Sequence, residues 1–369
     1  MQNRIDTPMN QELLREALRL ANDIFRPQAQ ITDQGDIHGQ LETNVRALGG
    51  AGYFGLGISR EYGGMGADDS TKSEYAELIA SACGVTAFTQ QQLHAGGRYL
   101  GESPSAALKL EHLPKFASGD ELCGVAFSHL RRPGPPMVRA ERVSGGYHLS
   151  GKAPWVTGWG LLDSFILAAV LLPEGNHLYF YVPKAGNEKT LLPGPRIPLA
   201  VMNASDTVEV SFENLFLPSE YLLSERPSDD LSRADFFTIS RNVYLPLGCA
   251  RGSLHLLQTL AAQRRNTTFA QVAAEFSCQI DSCRREALTW AGTGVDHPDY
   301  KENALRVRAE AIVLAVRAAH AAITATGGGA HLLSNPAQRL LREAVFYTTT
   351  GQTPDVQNET LALLLSPHC

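Results

Sequence analysis

Apolar residues recur at intervals of three and four through residues 11–25, where Leu13, Leu14, Ala17, Leu18, Ala21, Ile24 and Phe25 form a single stripe. That period predicts an amphipathic helix, and Pro27 is expected to stop it, because proline has no N–H to give the preceding turn. A second helix is expected through residues 44–48, ending at Gly49-Gly50. Residues 52–68 then hold six glycines and read as turns. Residues 71–83, 86–100 and 106–117 predict three more helices. After residue 122 the pattern changes. Residues 164–172, 177–182 and 207–212 are β-branched and aromatic runs bounded by Gly, Pro and Asn, as in a compact β-barrel or sandwich. From residue 231 the 3.6-residue period returns, with helices expected over 242–264, 269–292 and 301–326. The last is so densely apolar that it belongs inside a bundle or at a subunit contact.

The expected fold class is therefore α+β and multi-domain: a helical domain over 1–122, a β-domain over 123–230 and a helical bundle over 231–369. Residues 123–160 lie where the helical pattern gives way to strands. Within them Ser144-Gly145-Gly146 makes a tight reversal and residues 147–151 read as a strand, which together predict a β-hairpin. A hydroxyl stands at each end of it, in Ala126-Phe127-Ser128 and Trp155-Val156-Thr157.

Composition narrows the functional classes. The 369 residues are 44% hydrophobic and 19% charged, with a net charge of −6. Clustered Lys and Arg, which phosphate backbones require, occur only as pairs such as Arg131-Arg132 and Arg264-Arg265, so no nucleic-acid partner is expected. The N-terminus lacks an apolar stretch behind positive charge, and no run of about 18 apolar residues occurs, so neither a signal peptide nor a membrane span is expected and a cytoplasmic location follows. Cys278 and Cys283 form the one close cysteine pair and lack a matching second pair, so no metal is expected and the thiols read as buried and free. The Gly-rich stretch has no strand–GxGxxG–helix context, so phosphate binding is disfavoured there. His94 reads as a core histidine in preference to a pocket residue.

The two hydroxyl segments resemble those of the acyl-CoA dehydrogenase family, and the likeness covers essentially the whole chain. It implies a helical domain, a β-domain and a C-terminal four-helix bundle, with FAD held by Phe127, Ser128, Trp155 and Thr157. The sequence TVEVSFENLFLPSEYLL resembles the family's closure of its β-domain. Gly327-Gly328, with the following Arg339–Ala344 stretch, resembles the family's Gly-Gly segment and Arg-Asp-Ala signature. In relatives the glycines reach the neighbouring subunit's flavin, so a homodimer or homotetramer is implied. Arg264 and Phe269 resemble a diphosphate-contacting segment with altered spacing, and Thr353 stands at the family's Glu-Gly-Thr position. The implied substrate is an acyl thioester, of coenzyme A or of a carrier protein.

One departure matters most. In register with the family, the base-bearing carboxylate falls at Gly351. Removing the α-proton beside a thioester needs an acceptor within about 3 Å, and glycine offers none. The alternative family position precedes Arg241 and is Ser240, while Gln352 carries only a neutral amide. Ser240, Arg241 and Gln352 are weak candidates, and Glu275, Glu343, Asp355 and Glu359 are the nearby carboxylates, of which Glu343 fits a structural role. Arg131 and Arg132 replace a Ser-bearing loop and read as phosphate partners or surface charges. Three functions remain: a flavin-dependent oxidoreductase of acyl-CoA dehydrogenase type with its base unidentified, a flavin monooxygenase of the same fold, and a non-redox ligand-binding relative.

Overall fold

The computed structural model describes residues 8–365. Helix α1 (Pro8–Arg19) runs through a wide π-helical turn at Leu20–Phe25 directly into α2 (Arg26–Gln34). Pro27 does not stop the helix as expected. It sits in the first turn of α2, where the missing N–H follows the wide turn and breaks no regular ladder. After α3 (Glu42–Gly50) the glycine-rich stretch folds on itself, its amides at Gly64, Met65, Gly66 and Ala67 bonded to the carbonyls of Ser59, Gly55, Ile58 and Leu56. A Cβ on Gly64 would lie 2.2 Å from the Ile58 carbonyl oxygen, so this closure requires glycine. With those donors satisfied internally, the stretch is a folded connector. Three helices complete the N-terminal layer: α4 (Asp69–Ala82), capped by the Asp68 carboxylate on the Thr71 amide at 2.8 Å, α5 (Gly84–Gly101) and α6 (Ala106–Ser118).

Eight strands form one sheet: β1 (Cys123–Ala126), β2 (Val138–Val143), β3 (Gly146–Val156), β4 (Ser164–Leu171), β5 (His177–Pro183), β6 (Leu191–Arg196), β7 (Val208–Pro218) and β8 (Leu222–Arg226). Their order is β6-β7-β3-β2-β4-β5-β8, with β1 also beside β4. The expected hairpin is β2–β3, turning at Ser144-Gly145. Ser128 is not part of it. Parallel to β4, β1 covers that strand's first half and β2 its second, and Ser128 starts a short 3₁₀ turn, Ser128–Arg131, where the chain leaves β1.

The C-terminal region comprises α7 (Asp230–Thr238), a 3₁₀ turn at Ser240–Val243, then α8 (Tyr244–Arg264), α9 (Thr267–Thr293), α10 (Tyr300–Thr326), α11 (Pro336–Thr349) and α12 (Pro354–Leu365). A Cβ on Gly248 would stand 2.5 Å from Cβ of Ala80, so glycine lets α8 lie directly on α4. One hydrophobic core runs from the N-terminal helices through the sheet into the bundle. Helix α10 is long and apolar enough to cross a membrane, and its apolar residues pack against α8, α9, α11 and α12.

Candidate active site

Strand β3 pairs with β2 up to Gly151 and then continues past the start of β2, still paired with β7, so its last residues run beside the end of β1 and the Ser128 turn. A bulge between Ala153 and Val156 interrupts its register with β7. Trp155 sits in that bulge with 45% of its surface exposed, an unusual exposure for so large a ring. Two residues on, the Thr157 hydroxyl is buried and hydrogen-bonded to Thr207 at 3.1 Å, and Thr207 in turn meets Ser205 at 3.0 Å. The Gly158 amide donates to the Ser205 carbonyl at 2.7 Å. Three hydroxyls thus fix the backbone beneath the exposed indole. Ser128 is exposed and Phe127 half-buried against Tyr99, ring centroids 5.0 Å apart. A flat aromatic ligand fits this arrangement: an open indole face, a free hydroxyl at Ser128 and a pinned turn after Thr157.

The segment after α11 carries the other expected site. Gly351 is exposed at φ +60°, and a Cβ there would meet only Asn242 Nδ2, at 3.9 Å. Arg308 on α10 reaches this segment from below. Its Nη2 donates to the Thr350 carbonyl at 2.9 Å, its Nη1 has no hydrogen-bond partner, and the side chain is 97% buried. Burial lowers its pKa to about 10, which leaves it charged at neutral pH. Nothing in the helical pattern distinguishes Arg308 from the solvent-facing arginines of α10. The Gln352 amide donates to the Thr348 carbonyl at 2.9 Å, and the Thr353 hydroxyl accepts from the Val356 amide at 3.3 Å, capping α12.

The remaining candidates are engaged elsewhere. Ser240 is fully buried with its hydroxyl 3.3 Å from that of Tyr300, and Arg241 pairs with Asp69 at 3.0 Å. Glu343 forms a buried pair with Arg339 at 2.6 Å and accepts from the Gly84 amide at 3.2 Å. Burial pushes the Glu343 carboxyl up and Arg339 pulls against it, so the pair is a structural clamp between α11 and α5. Asp355 pairs with Lys301 at 2.8 Å, and Glu275 accepts from Gln279 at 2.7 Å on the outer face of α9. Arg342 braces α11 through Asp33 at 2.7 Å, and Arg131 pairs with Asp235 at 2.6 Å. The Arg264 guanidinium donates to the carbonyls of Ala325 and Thr326, at 2.7 and 3.2 Å, and so closes the end of α10 just before Gly327. Phe269 is half-buried, its amide capped by Asn266 at 3.0 Å. Gly327 and Gly328 are open, with nothing within 4 Å of a Cβ at either. His94 Nε2 donates to the Tyr53 carbonyl, 2.9 Å away, and burial lowers its pKa to about 4, which suits a neutral core histidine.

Residues 7–120 match the family described as acyl-CoA dehydrogenase, N-terminal domain. The chain is similar to the mitochondrial isovaleryl-CoA dehydrogenase of Oryza sativa subsp. japonica, at 24% identity over 94% of this chain and 89% of that protein. It is similar to the same degree, 24% over 95% and 93%, to the 3-sulfinopropanoyl-CoA desulfinase of Cupriavidus necator. The solved butyryl-CoA dehydrogenase of Megasphaera elsdenii superimposes with a TM-score of 0.83 at 20% identity, covering 99% of this chain and all of that one. The chain therefore shares the fold of the acyl-CoA dehydrogenases and resembles them in sequence over most of its length. Its helical, sheet and helical segments are arranged as in that fold. Against this background Gly351 is a feature of this chain's own sequence.

Proposed function

We propose that the protein is an FAD-dependent oxidoreductase acting on an acyl thioester, in which no carboxylate stands at residue 351 to take the substrate's α-proton. The observation that carries the first half is the indole of Trp155, exposed in a bulge of the strand that runs beside the Ser128 turn and two residues before the Thr157–Thr207–Ser205 hydroxyl chain. Phe127, Ser128, Trp155 and Thr157 would hold the flavin, with Gly327, Gly328 and the Arg264-braced turn of a neighbouring chain, and with Thr353, completing the site in a homodimer or homotetramer. Bound there, FAD supplies a two-electron acceptor. The chain's own contribution is to seat an aromatic ring on the indole face, to leave the Ser128 hydroxyl free and to hold the 350–353 segment rigid through Arg308.

Gly351 favours a second reading. With no positioned base, chemistry that leaves the α-proton in place becomes more accessible, whether oxygenation by a reduced flavin or loss of a leaving group from the acyl chain, the reaction named for the desulfinase relative. A ligand-binding protein without redox activity is the limiting case. The thioester is carried by coenzyme A or a carrier protein.

A visible spectrum after incubation with FAD, followed by anaerobic titration with butyryl-CoA, isovaleryl-CoA and 3-sulfinopropanoyl-CoA, tests these readings together. Flavin that co-elutes and bleaches slowly with saturated acyl-CoAs is the expected result. Failure to retain FAD rejects the oxidoreductase. Retained flavin that stays oxidised while a thioester is consumed selects the non-oxidative reading.

A further inference from the structure

A cavity of about 430 Å³ opens between α6, the end of β5 and the turn before β8, on the sheet face formed by Tyr179 and Tyr181. Its lining includes Glu111, His112, Tyr181, Glu220 and Tyr221. No lysine or arginine lines it among the described residues. Lys184, next along from β5, turns away to the Trp159 carbonyl at 2.7 Å, and Lys115 approaches Glu111 only to 3.8 Å.

His112 is 92% buried, and its orientation follows from the groups behind it. The Glu121 carboxylate accepts from Tyr181 at 2.7 Å and from Ser164 at 2.8 Å through Oε1, while Oε2 faces His112 Nδ1 at 2.8 Å. Burial pushes the Glu121 carboxyl up, but the bonds from His112, Tyr181 and Ser164 outweigh it and hold it below the usual range. An ionised carboxylate only accepts, so Nδ1 must be the protonated nitrogen. The ring's other nitrogen is Nε2, on the side away from Glu121. It makes no hydrogen bond, and Glu111 Oε1 is 3.8 Å away. Tyr181 stacks tilted on His112 at 4.4 Å and meets Tyr221 edge-on at 5.7 Å, which gives the cavity aromatic walls.

We infer that this cavity binds an organic ammonium ion, an amine of diamine or choline size. Its side-chain lining presents the carboxylates of Glu111 and Glu220 and the rings of Tyr181 and Tyr221. All of these attract a cation, and a desolvated ammonium gains from aromatic faces as well as from acceptors. The site is separate from the Trp155–Gly351 region and does not depend on flavin binding.

The test is saturation-transfer NMR and calorimetry on the full-length protein with putrescine and choline as probes, and with acetate as the anionic control. Both amines are expected to bind and acetate is not. Tyr221→Ala and Glu220→Gln, both at the cavity's solvent side, should each weaken the amines by about three- to tenfold, the range of one cation–π or one partly exposed charge contact. The inference fails if neither amine binds up to about 20 mM, an affinity weaker than the loss of a single contact would explain. It also fails if both variants, folded by circular dichroism, bind as the wild type does, or if acetate binds as well as the amines.

Discussion

Arg308 Nη2 lies 2.9 Å from the carbonyl oxygen of Thr350, one peptide before Gly351. The contact joins the middle of α10 to the segment that follows α11. It places a buried guanidinium beside the segment that carries Gly351. A hydrogen bond from a charged donor holds a loop by about 1.5–3 kcal/mol, yet a buried cation without a counter-ion is itself unfavourable. Removing it therefore has opposing effects on global and local stability. Arg308→Met is expected to leave the melting temperature within a few degrees of wild type while the amides of residues 350–353 exchange with solvent at least about tenfold faster, since 1.4 kcal/mol is a factor of ten. Hydrogen-exchange mass spectrometry reads both outcomes, and unchanged exchange in that segment would remove Arg308 from any part in positioning it.

His129 supplies a pH-dependent test of the sheet. It is 96% buried, its Nε2 bonds to the Ala168 carbonyl at 3.0 Å, and its Nδ1 has no hydrogen-bond partner. Burial lowers its pKa to about 4. The unfolded chain takes up this proton near pH 6.5 and the folded chain only near 4, so stability present above 6.5 is lost as pH falls through that window. Between pH 7 and pH 5 the loss amounts to about 2 kcal/mol at most. Wild type should lose more urea resistance over that interval than His129→Gln, which keeps a donor for Ala168 but does not titrate. Parallel losses in the two proteins would show that the proton is taken up elsewhere, His94 being the next candidate.

Flavin binding should depend unequally on the two ends of the β3 bulge. Trp155→Ala removes an exposed stacking face and is expected to weaken FAD by at least about tenfold with only a small change in the apoprotein's melting temperature, since nearly half of the side chain is exposed in the free chain. Thr157→Val is expected to act on both, because it leaves Thr207 and Ser205 one hydroxyl short in a buried chain, at about 1–3 kcal/mol. Fluorescence quenching of FAD and thermal unfolding of the apoprotein separate these effects. A Trp155→Ala variant that binds FAD as tightly as wild type would place the ring outside the flavin site.

The helices and the β2–β3 hairpin were legible because each carries its own period: the stripe from Leu13 to Phe25, the reversal at Ser144-Gly145, the alternation into β3. What escaped depends on neighbours. Strand β6 contains Pro193 and Pro195, which argue against a strand, yet it lies at the sheet's edge and pairs only with β7, where a missing N–H is tolerated. The wide turn before α2 carries no recognisable residue pattern, so Pro27 reads as a stop. At the candidate site, the roles proposed for Trp155, Thr157 and Gly351 rest on the family resemblance. Arg308 was not legible, since burial of one arginine among several on α10 is decided by α11 and α12, separate helices later in the chain. The Arg264 contacts were likewise out of reach, because they close onto the far end of another helix.

Placing a carboxylate at residue 351 is the most demanding test. Gly351 has φ +60°, a left-handed conformation that a side chain adopts at a cost of about 1 kcal/mol or more, so Gly351→Ala should be slightly destabilised and Gly351→Glu similarly so. Space is not the obstacle, as only Asn242 Nδ2 comes within 4 Å of the added Cβ. The new carboxylate would enter between that amide and the charged Arg308 beneath Thr350. Both favour its ionised form, which keeps it available to accept a proton but weakens it as a base. Losing a positioned general base costs about 10²–10⁴-fold, so the wild type is expected to reduce its flavin with saturated acyl-CoAs slowly, and Gly351→Glu to regain one to two of those powers of ten. Arg308→Met in the Gly351→Glu background should raise the rate further at neutral pH if the guanidinium holds the new carboxylate too acidic. Stopped-flow bleaching at 450 nm, the flavin band, with an anaerobic butyryl-CoA series measures all three proteins. Wild-type bleaching as fast as that of Gly351→Glu would mean that a residue other than 351 already accepts the α-proton, and that the glycine is a loop variation without chemical consequence.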